Sequence, residues 1–237
     1  MIKKFVSRKF PSLFRLIKSY YYLFYETFLG RTQTEIVFNK IYKRNIWGDN
    51  DSVSGAGSNL KNTEGIRKEL PDVIRNLNVE VFLDIPCGDF FWMKHLNLPI
   101  KKYIGADVVK ELIENNTKKF ADENRSFLVI DVTRDKLPIA DIVFCRDCLP
   151  HLSNEYIIAA LRQIKKSNSK YLLTSTYSNQ EINEDLPTGR FHKINLELPP
   201  FNLPKPLLLI KDECITSIEF LQDKSLGLWK ISDIPDF

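Results

Sequence analysis

An α/β fold built on a mainly parallel sheet follows from two features of the chain. Five short apolar runs lie along residues 79–177, most of them closing on an acidic residue, and segments of helical period fill the gaps between them. Crossovers of this kind are right-handed, so the strands point the same way and their carboxyl ends share one edge of the sheet. Ligands of open α/β sheets bind across those ends.

The chain's 237 residues, 43% of them hydrophobic, suit one α/β domain with additions and can fill a sizeable core. Residues 1–45 read as a basic amphipathic helical extension and residues 46–237 as the α/β domain. In the extension Lys3, Lys4, Arg8, Lys9, Arg15 and Lys18 precede any acid and alternate with Phe5, Phe10, Leu13, Phe14 and Ile17, while Pro11 restricts where a helix begins. Charges at Arg15, Lys18 and Glu26 make the segment too polar to span a bilayer, and no small-residue cleavage site follows it. Peripheral contact of residues 1–25 with an anionic membrane, packing on the core and contact with a partner chain all remain open. Residues 47–63 mix Ser, Gly and Asn, which is loop chemistry. They read either as a cover in which Trp47 and the backbone of residues 54–58 close a site, or as a linker.

The first strand lies in residues 79–89, VEVFLDIPCGD, where Val81, Phe82, Leu83 and Ile85 suit a strand covered on both faces. Asp84 ends it, and the chain turns through Pro86, Cys87 and Gly88, the glycine permitting a tight turn and a close backbone approach to a ligand. A second run, KYIGADVV at 102–109, closes on Asp107, about twenty residues further on, the spacing at which such folds place a carboxylate on ribose hydroxyls. Residues 109–120 carry a helical pattern. The third run, SFLVIDVT at 126–133, closes on Asp131 and Val132; the fourth, ADIVFCRDC at 140–148, ends with Arg146 and Asp147. A helix over residues 154–165 follows, with Ser153 as N-cap and Ile157, Ile158, Leu161 and Ile164 as its apolar stripe. The fifth run, YLLTSTY at 171–177, leads into a long polar, proline-studded segment before the last two strands.

The loop DIPCG at 84–88, taken with IWGDNDSVSGAGS at 46–58, CRDCLPHL at 145–152, NLELPPFNLPKPL at 195–207 and LGLW at 226–229, resembles the class I S-adenosylmethionine-dependent methyltransferases, and among them a bacterial branch associated with surface-polysaccharide biosynthesis loci. The resemblance covers most of the chain; Pro86 and Cys87 stand where many members carry further glycines. It implies a Rossmann-like, seven-stranded, mainly parallel sheet with helices on both faces, S-adenosyl-L-methionine as cofactor, and in-line methyl transfer. Under it, Asp84 orients the loop and the cofactor's ammonium side, Pro86, Cys87 and Gly88 pass close to the cofactor, Asp107 with Val108 holds the ribose, Asp131 with Val132 reads the adenine amino edge, and Arg146 borders the same groove.

Catalysis of such a displacement comes chiefly from positioning, with a base where the acceptor proton must leave. His151, four residues beyond Asp147, is the expected general base, with Asp147 orienting it or binding the acceptor. Trp47, Asp89 and Trp92 are expected to shape the acceptor pocket, and Phe90 to pack. Arg190 and His192, in the long connection after the fifth strand, are expected to bind an anionic or sugar acceptor. The expected acceptor is a small molecule or a glycan, with a sugar hydroxyl or a substituent of a surface-glycan precursor preferred, and transfer is expected to need no metal.

Cysteines at 87, 145, 148 and 214 form no secreted framework, and the Cys145–Cys148 pair lacks the helix start or second ligand pair that redox or zinc chemistry needs. Reduced thiols in a cytoplasmic protein, peripheral to the membrane at most, are expected. A net charge of +4, carried by the extension over a mildly acidic remainder, argues against a nucleic-acid partner. Oligomeric state is not readable. A nicotinamide or flavin enzyme would need GxGxxG after the first strand, whereas residues 54–58, SGAGS, precede it, and GxxxxGK[ST] is absent. A catalytically silent cofactor-binding domain would share the fold.

Overall fold

Residues 34–212 and 223–237 are described by the computed structural model. Their seven strands are β1 (Val81–Asp84), β2 (Lys102–Asp107), β3 (Arg125–Val129), β4 (Ile142–Cys145), β5 (Tyr171–Tyr177), β6 (Leu208–Lys211) and β7 (Lys224–Lys230). They form one sheet in the order β3-β2-β1-β4-β5-β7-β6. β1 pairs in parallel with both β2 and β4, so the order reverses there and a crevice opens beyond the carboxyl ends of the two strands. β7 runs antiparallel to β5 and β6 and is wedged between them, the one reversal in an otherwise parallel sheet.

Burial on both faces explains why the inner strands β1, β2, β4 and β5 read as continuous apolar runs rather than alternating ones, while the edge strands β3 and β6 are largely exposed or half-buried. On one face Phe82, Ile142 and Phe144 pack beneath α2 (Glu64–Asn76) and α3 (Lys110–Phe120); on the other, Leu83, Val143 and Leu172 meet α4 (Asn154–Lys166) and residues 194–203. α2 is not among the elements the sequence predicts, because Pro71 interrupts its pattern, yet Ile66, Leu70 and Ile74 at four-residue spacing keep one buried face. In α4 the buried stripe is Ile157, Ala160, Leu161 and Ile164, with Ile158 only partly buried. Ser153 sits at the N-cap without a side-chain bond, and Asp185 instead accepts from the Asn154 N–H at 2.8 Å.

Of the extension, residues 1–33 lie outside the described residues, and with them the basic stretch 1–25. Its remainder includes α1 (Thr34–Lys43), whose Val37 and Ile41 lie so near Gly189 that a Cβ there would meet them at 2.6 and 3.3 Å. Thr34, Phe38, Ile41 and Tyr42 of α1 line the crevice. Among the described residues no helix is long and apolar enough to cross a membrane.

The reversed strand depends on one glycine. The Trp229 indole lies over Gly227, where a Cβ would stand 2.2 Å from a ring carbon, and the indole Nε1 donates to the Pro204 carbonyl at 2.7 Å. Gly227→Ala must displace that ring, and we expect a loss of about 1–3 kcal/mol, seen as a lower urea midpoint at unchanged m-value. A wild-type midpoint would mean that the indole moves aside without cost.

Candidate active site

A cavity of about 1100 Å³, counting the solvent at its mouth, spans the carboxyl ends of β1 to β4 and is lined by the residues that follow each strand. Asp84 and Asp107 are buried acids in its wall. Asp84 accepts a hydrogen bond from the Tyr103 hydroxyl of β2. Burial pushes its pKa up to about 8, against that hydrogen bond and with help from the charge of Asp107. Asp107 accepts from the Gly88 N–H at 3.2 Å and the Val109 N–H at 3.0 Å, and burial raises it to about 6 despite those bonds.

The loop after β1 is pinned from both sides. Gly88 has φ 53 and faces Ser54 so closely that a Cβ would stand 2.4 Å from the serine Oγ, so a side chain here would strain the backbone and displace the serine hydroxyl. From α3, Asn116 Nδ2 donates to the Gly88 carbonyl at 2.7 Å. From the other side residues 52–54 fold over the loop: Ser52 Oγ and the Val53 N–H both donate to Asp89 at 3.0 Å, and the Asp89 N–H donates to Ser54 Oγ at 3.2 Å. Asp89 lines the cavity, but its carboxylate clamps this cover, with a further bond from the Phe91 N–H, rather than standing free for an acceptor. Phe90 packs among Tyr103, Phe120 and Phe127.

Beyond β3, Asp131 accepts at Oδ1 from the Thr133 N–H and hydroxyl at 3.0 and 2.6 Å, and at Oδ2 from the Thr34 hydroxyl of α1, with Arg134 Nε 3.4 Å away. Pro86, Cys87, Val108 and Val132 also line the cavity, as do Trp47 and Trp92.

Beyond β4 the chemistry changes. Arg146 forks onto Asp212 at 2.8 and 3.1 Å, donates to the Gly57 carbonyl at 3.0 Å and lies over the Trp92 ring. Lys224 bridges Asp147 at 2.6 Å and Asp212 at 3.0 Å, and Ser175 Oγ lies 3.2 Å from the other Asp147 oxygen. Arg146, Asp212 and Lys224 are buried, and the two cations hold Asp147 well below the usual carboxylate range against its desolvation. Arg146 therefore lines the cavity as part of a charge-balanced network, which gives its guanidinium work other than direct cofactor contact.

His151, on the turn Leu149–His151, packs at a tilt against Trp47 with ring centroids 4.4 Å apart, and its centroid lies 5.6 Å from that of Phe191. Its Nδ1 is buried without a partner, while a backbone hydrogen bond ties the ring to Arg190. Burial lowers its pKa to about 4, against the charge of Asp147, so the ring is neutral at neutral pH with a lone pair free at Nδ1. Asp147 does not orient it by hydrogen bonding, since its oxygens are taken by Lys224, Arg146 and Ser175.

Two expected acceptor residues are elsewhere. Arg190 is exposed and lies outside the cavity lining. His192 is buried, with Nδ1 2.7 Å from the Glu184 carbonyl and Nε2 2.8 Å from the Leu152 carbonyl, so its ring staples the long connection to the turn that carries His151. Cys87, Cys145 and Cys148 are buried free thiols, and Cys214 lies outside the described residues. Among the described residues, no three His, Cys, Asp or Glu side chains are grouped to hold a metal.

No family model matches the chain, and no curated protein matches it in sequence. Solved structures do match in shape. Magnesium protoporphyrin IX methyltransferase from Synechocystis PCC 6803, with bound SAM, superposes at a TM-score of 0.52 over 84% of this chain and 97% of that one, at 14% identity. The chain shares the fold of that methyltransferase. The N-methyltransferase NodS from Bradyrhizobium japonicum WM9, in complex with S-adenosyl-L-homocysteine, matches at 14% identity over 57% of this chain and 72% of that one, with a TM-score of 0.46. The methyltransferase domain of bacterial CtHen1 matches at 14% identity and a TM-score of 0.43 over 48% of this chain; the match spans 66% of that domain, just under two thirds of its length.

The two buried acids set a pH dependence. Their folded values, about 8 and about 6, lie above the ordinary 3.8, so the folded state binds protons more tightly than the unfolded chain. Their contribution to stability is therefore full below about pH 4 and is lost as pH rises through 6 and 8, a tenfold difference in proton affinity being worth about 1.4 kcal/mol. Asp84→Asn keeps an acceptor for Tyr103 and removes the larger titration. Its melting temperature is expected to fall less than that of wild type between pH 5 and 8 in the absence of ligand, and equal slopes would show that Asp84 titrates normally.

Proposed function

We propose that the chain transfers a methyl group from S-adenosyl-L-methionine to an oxygen of a sugar, or of a substituent on a surface-glycan precursor. The observation that carries this reading is the placement of Asp84 and Asp107, two uncompensated buried acids, on either side of the Gly88 loop in one cavity. A ligand that brings cationic groups and vicinal hydroxyls to that spot would relieve the desolvation of both.

The donor and acceptor chemistry fits the cofactor. Two backbone N–H groups occupy part of the acceptor capacity of Asp107, leaving lone pairs for ribose hydroxyls. Asp84 and the residues at the β4 end would then hold the ammonium and sulfonium side, and Asp131 and Val132 at the end of β3 would border the base. When bound, the cofactor supplies an electrophilic methyl group. The residues of the chain supply the rest: Trp47, Trp92 and the cover of residues 52–54 exclude water, and His151 Nδ1 accepts the proton that an attacking hydroxyl must lose. That free nitrogen favours an oxygen acceptor. The aromatic wall of Trp47 beside it suits the apolar face of a sugar, and the resemblance of residues 46–58, 145–152, 195–207 and 226–229 to a polysaccharide-associated branch supports the same class. On this reading the protein works in the cytoplasm, with residues 1–25 bringing it to a lipid-linked intermediate at the membrane surface.

Calorimetry with S-adenosylmethionine and its demethylated product is expected to show micromolar binding that Asp107→Ala abolishes. No binding by the wild-type chain would reject the cofactor. With an acceptor in hand, His151→Ala is expected to lower turnover by about 10² to 10⁴ while leaving cofactor affinity within about twofold. Wild-type turnover would remove His151 as base.

A further inference from the structure

The acid at the base end of the cavity is already engaged on both oxygens. An ionised carboxylate offers about four lone-pair sites. Asp131 accepts three hydrogen bonds, from the Thr133 N–H, the Thr133 hydroxyl and the Thr34 hydroxyl, and the Arg134 guanidinium stands beside Oδ2 as an ion pair at 3.4 Å. A purine amine arriving beside β3 would therefore compete at Asp131 with donors already bonded to both oxygens. What it meets instead is Thr34, buried at 2% exposure and lining the cavity. A hydroxyl has one proton and two lone pairs. Thr34 has committed its proton to Asp131, so toward the cavity it can only accept, and donation to a charged carboxylate strengthens its oxygen as an acceptor.

We infer that Thr34, contributed by α1, is the residue that reads the exocyclic amine of the purine, with Asp131 acting behind it to fix the direction of its hydroxyl. The inference rests on the cofactor reading above and specifies how that cofactor's base is chosen. Two contacts of α1 support this placement. Glu35 pairs with Arg134 at 3.3 Å, and Phe38, one turn on, lines the same cavity. An adenine amine donates to the Thr34 oxygen. A hypoxanthine carbonyl at the same position sets lone pair against lone pair, so the site rejects it.

The test compares S-adenosylhomocysteine with S-inosylhomocysteine, its hypoxanthine counterpart, by calorimetry on the full chain. Wild type is expected to prefer the adenine ligand by about tenfold or more, the scale of one charge-assisted hydrogen bond gained against a repulsion. Thr34→Val, which keeps the shape and removes the hydroxyl, is expected to lower affinity for S-adenosylhomocysteine about tenfold and to bring the ratio of the two affinities near one, whereas Thr34→Ser retains the preference. Equal wild-type affinities, or an unchanged ratio in Thr34→Val, would overturn the inference, and the first of these is read without any variant needing to fold. Absence of binding by either ligand to wild type rejects the cofactor itself, a failure visible before Thr34 is touched.

Discussion

Desolvation of carboxylates at the strand ends divides this crevice into two halves of opposite character. Asp84 and Asp107 are buried with hydrogen bonds from Tyr103 and from backbone amides but, among the described residues, without an ion pair, and burial lifts both above the ordinary carboxylate range. Asp147 is held ionised by Lys224 and Arg146, and Asp212 pairs with the same two cations. The same cost of removing charge from water is thus balanced inside the protein at the β4 end and left unbalanced at the β1 and β2 ends. A structural ion-pair cluster needs nothing more, whereas uncompensated acids in an open cavity are what a cationic ligand would complete.

The balanced half also explains how distant parts of the chain are drawn together. Arg146 follows β4, Asp212 follows β6, Lys224 opens β7, Ser175 lies on β5, and the Gly57 carbonyl belongs to the segment before β1. One neutral cluster of two cations and two anions therefore joins the reversed strand pair to the centre of the sheet and holds the covering segment at the mouth of the cavity. Removing one member would leave an unpaired buried charge, which is far costlier than losing the attraction between two exposed ones. The cover has a second anchor at Asp89, and the contact between Ser54 and Gly88 is so close that loop and cover must be built as a pair.

The acid-terminated strands were legible because each signal is local: a run of buried β residues and the first polar group after it lie within a few positions. An apolar run closing on an acid also occurs in residues 207–212, LLLIKD, and points to Asp212, although of its four apolar residues only Ile210 is buried. Lys224 and Thr34 carry no such mark. Their importance comes from partners 77 and 97 residues away, and a lysine or threonine in isolation reads as solvated surface. His192 shows the converse. A histidine in a polar connection looks like a ligand-binding group until both ring nitrogens are found against backbone carbonyls. Residue spacing outlines the floor of the cavity, whereas its cover, α1 and the segment before β1, comes from tertiary packing that no periodicity encodes.

The two halves meet at His151. Its ring is neutral at neutral pH because burial disfavours the cation, and the charge of Asp147 opposes that effect while Lys224 reinforces it. Under the proposed chemistry, a proton leaving the acceptor hydroxyl would turn His151 into an imidazolium beside Asp147, whose negative charge would stabilise it without touching the ring. The strength of the base is then set first by burial, next by how much of the Asp147 charge Lys224 and Arg146 leave unneutralised, and by the backbone hydrogen bond to Arg190. Fuller neutralisation weakens the base, and weaker neutralisation costs stability by leaving buried charge uncompensated. A methyl transfer driven by an activated donor can accept a weak base, because proximity and alignment supply most of the barrier reduction. That tolerance lets the cluster be built for stability, with the base taking whatever strength remains.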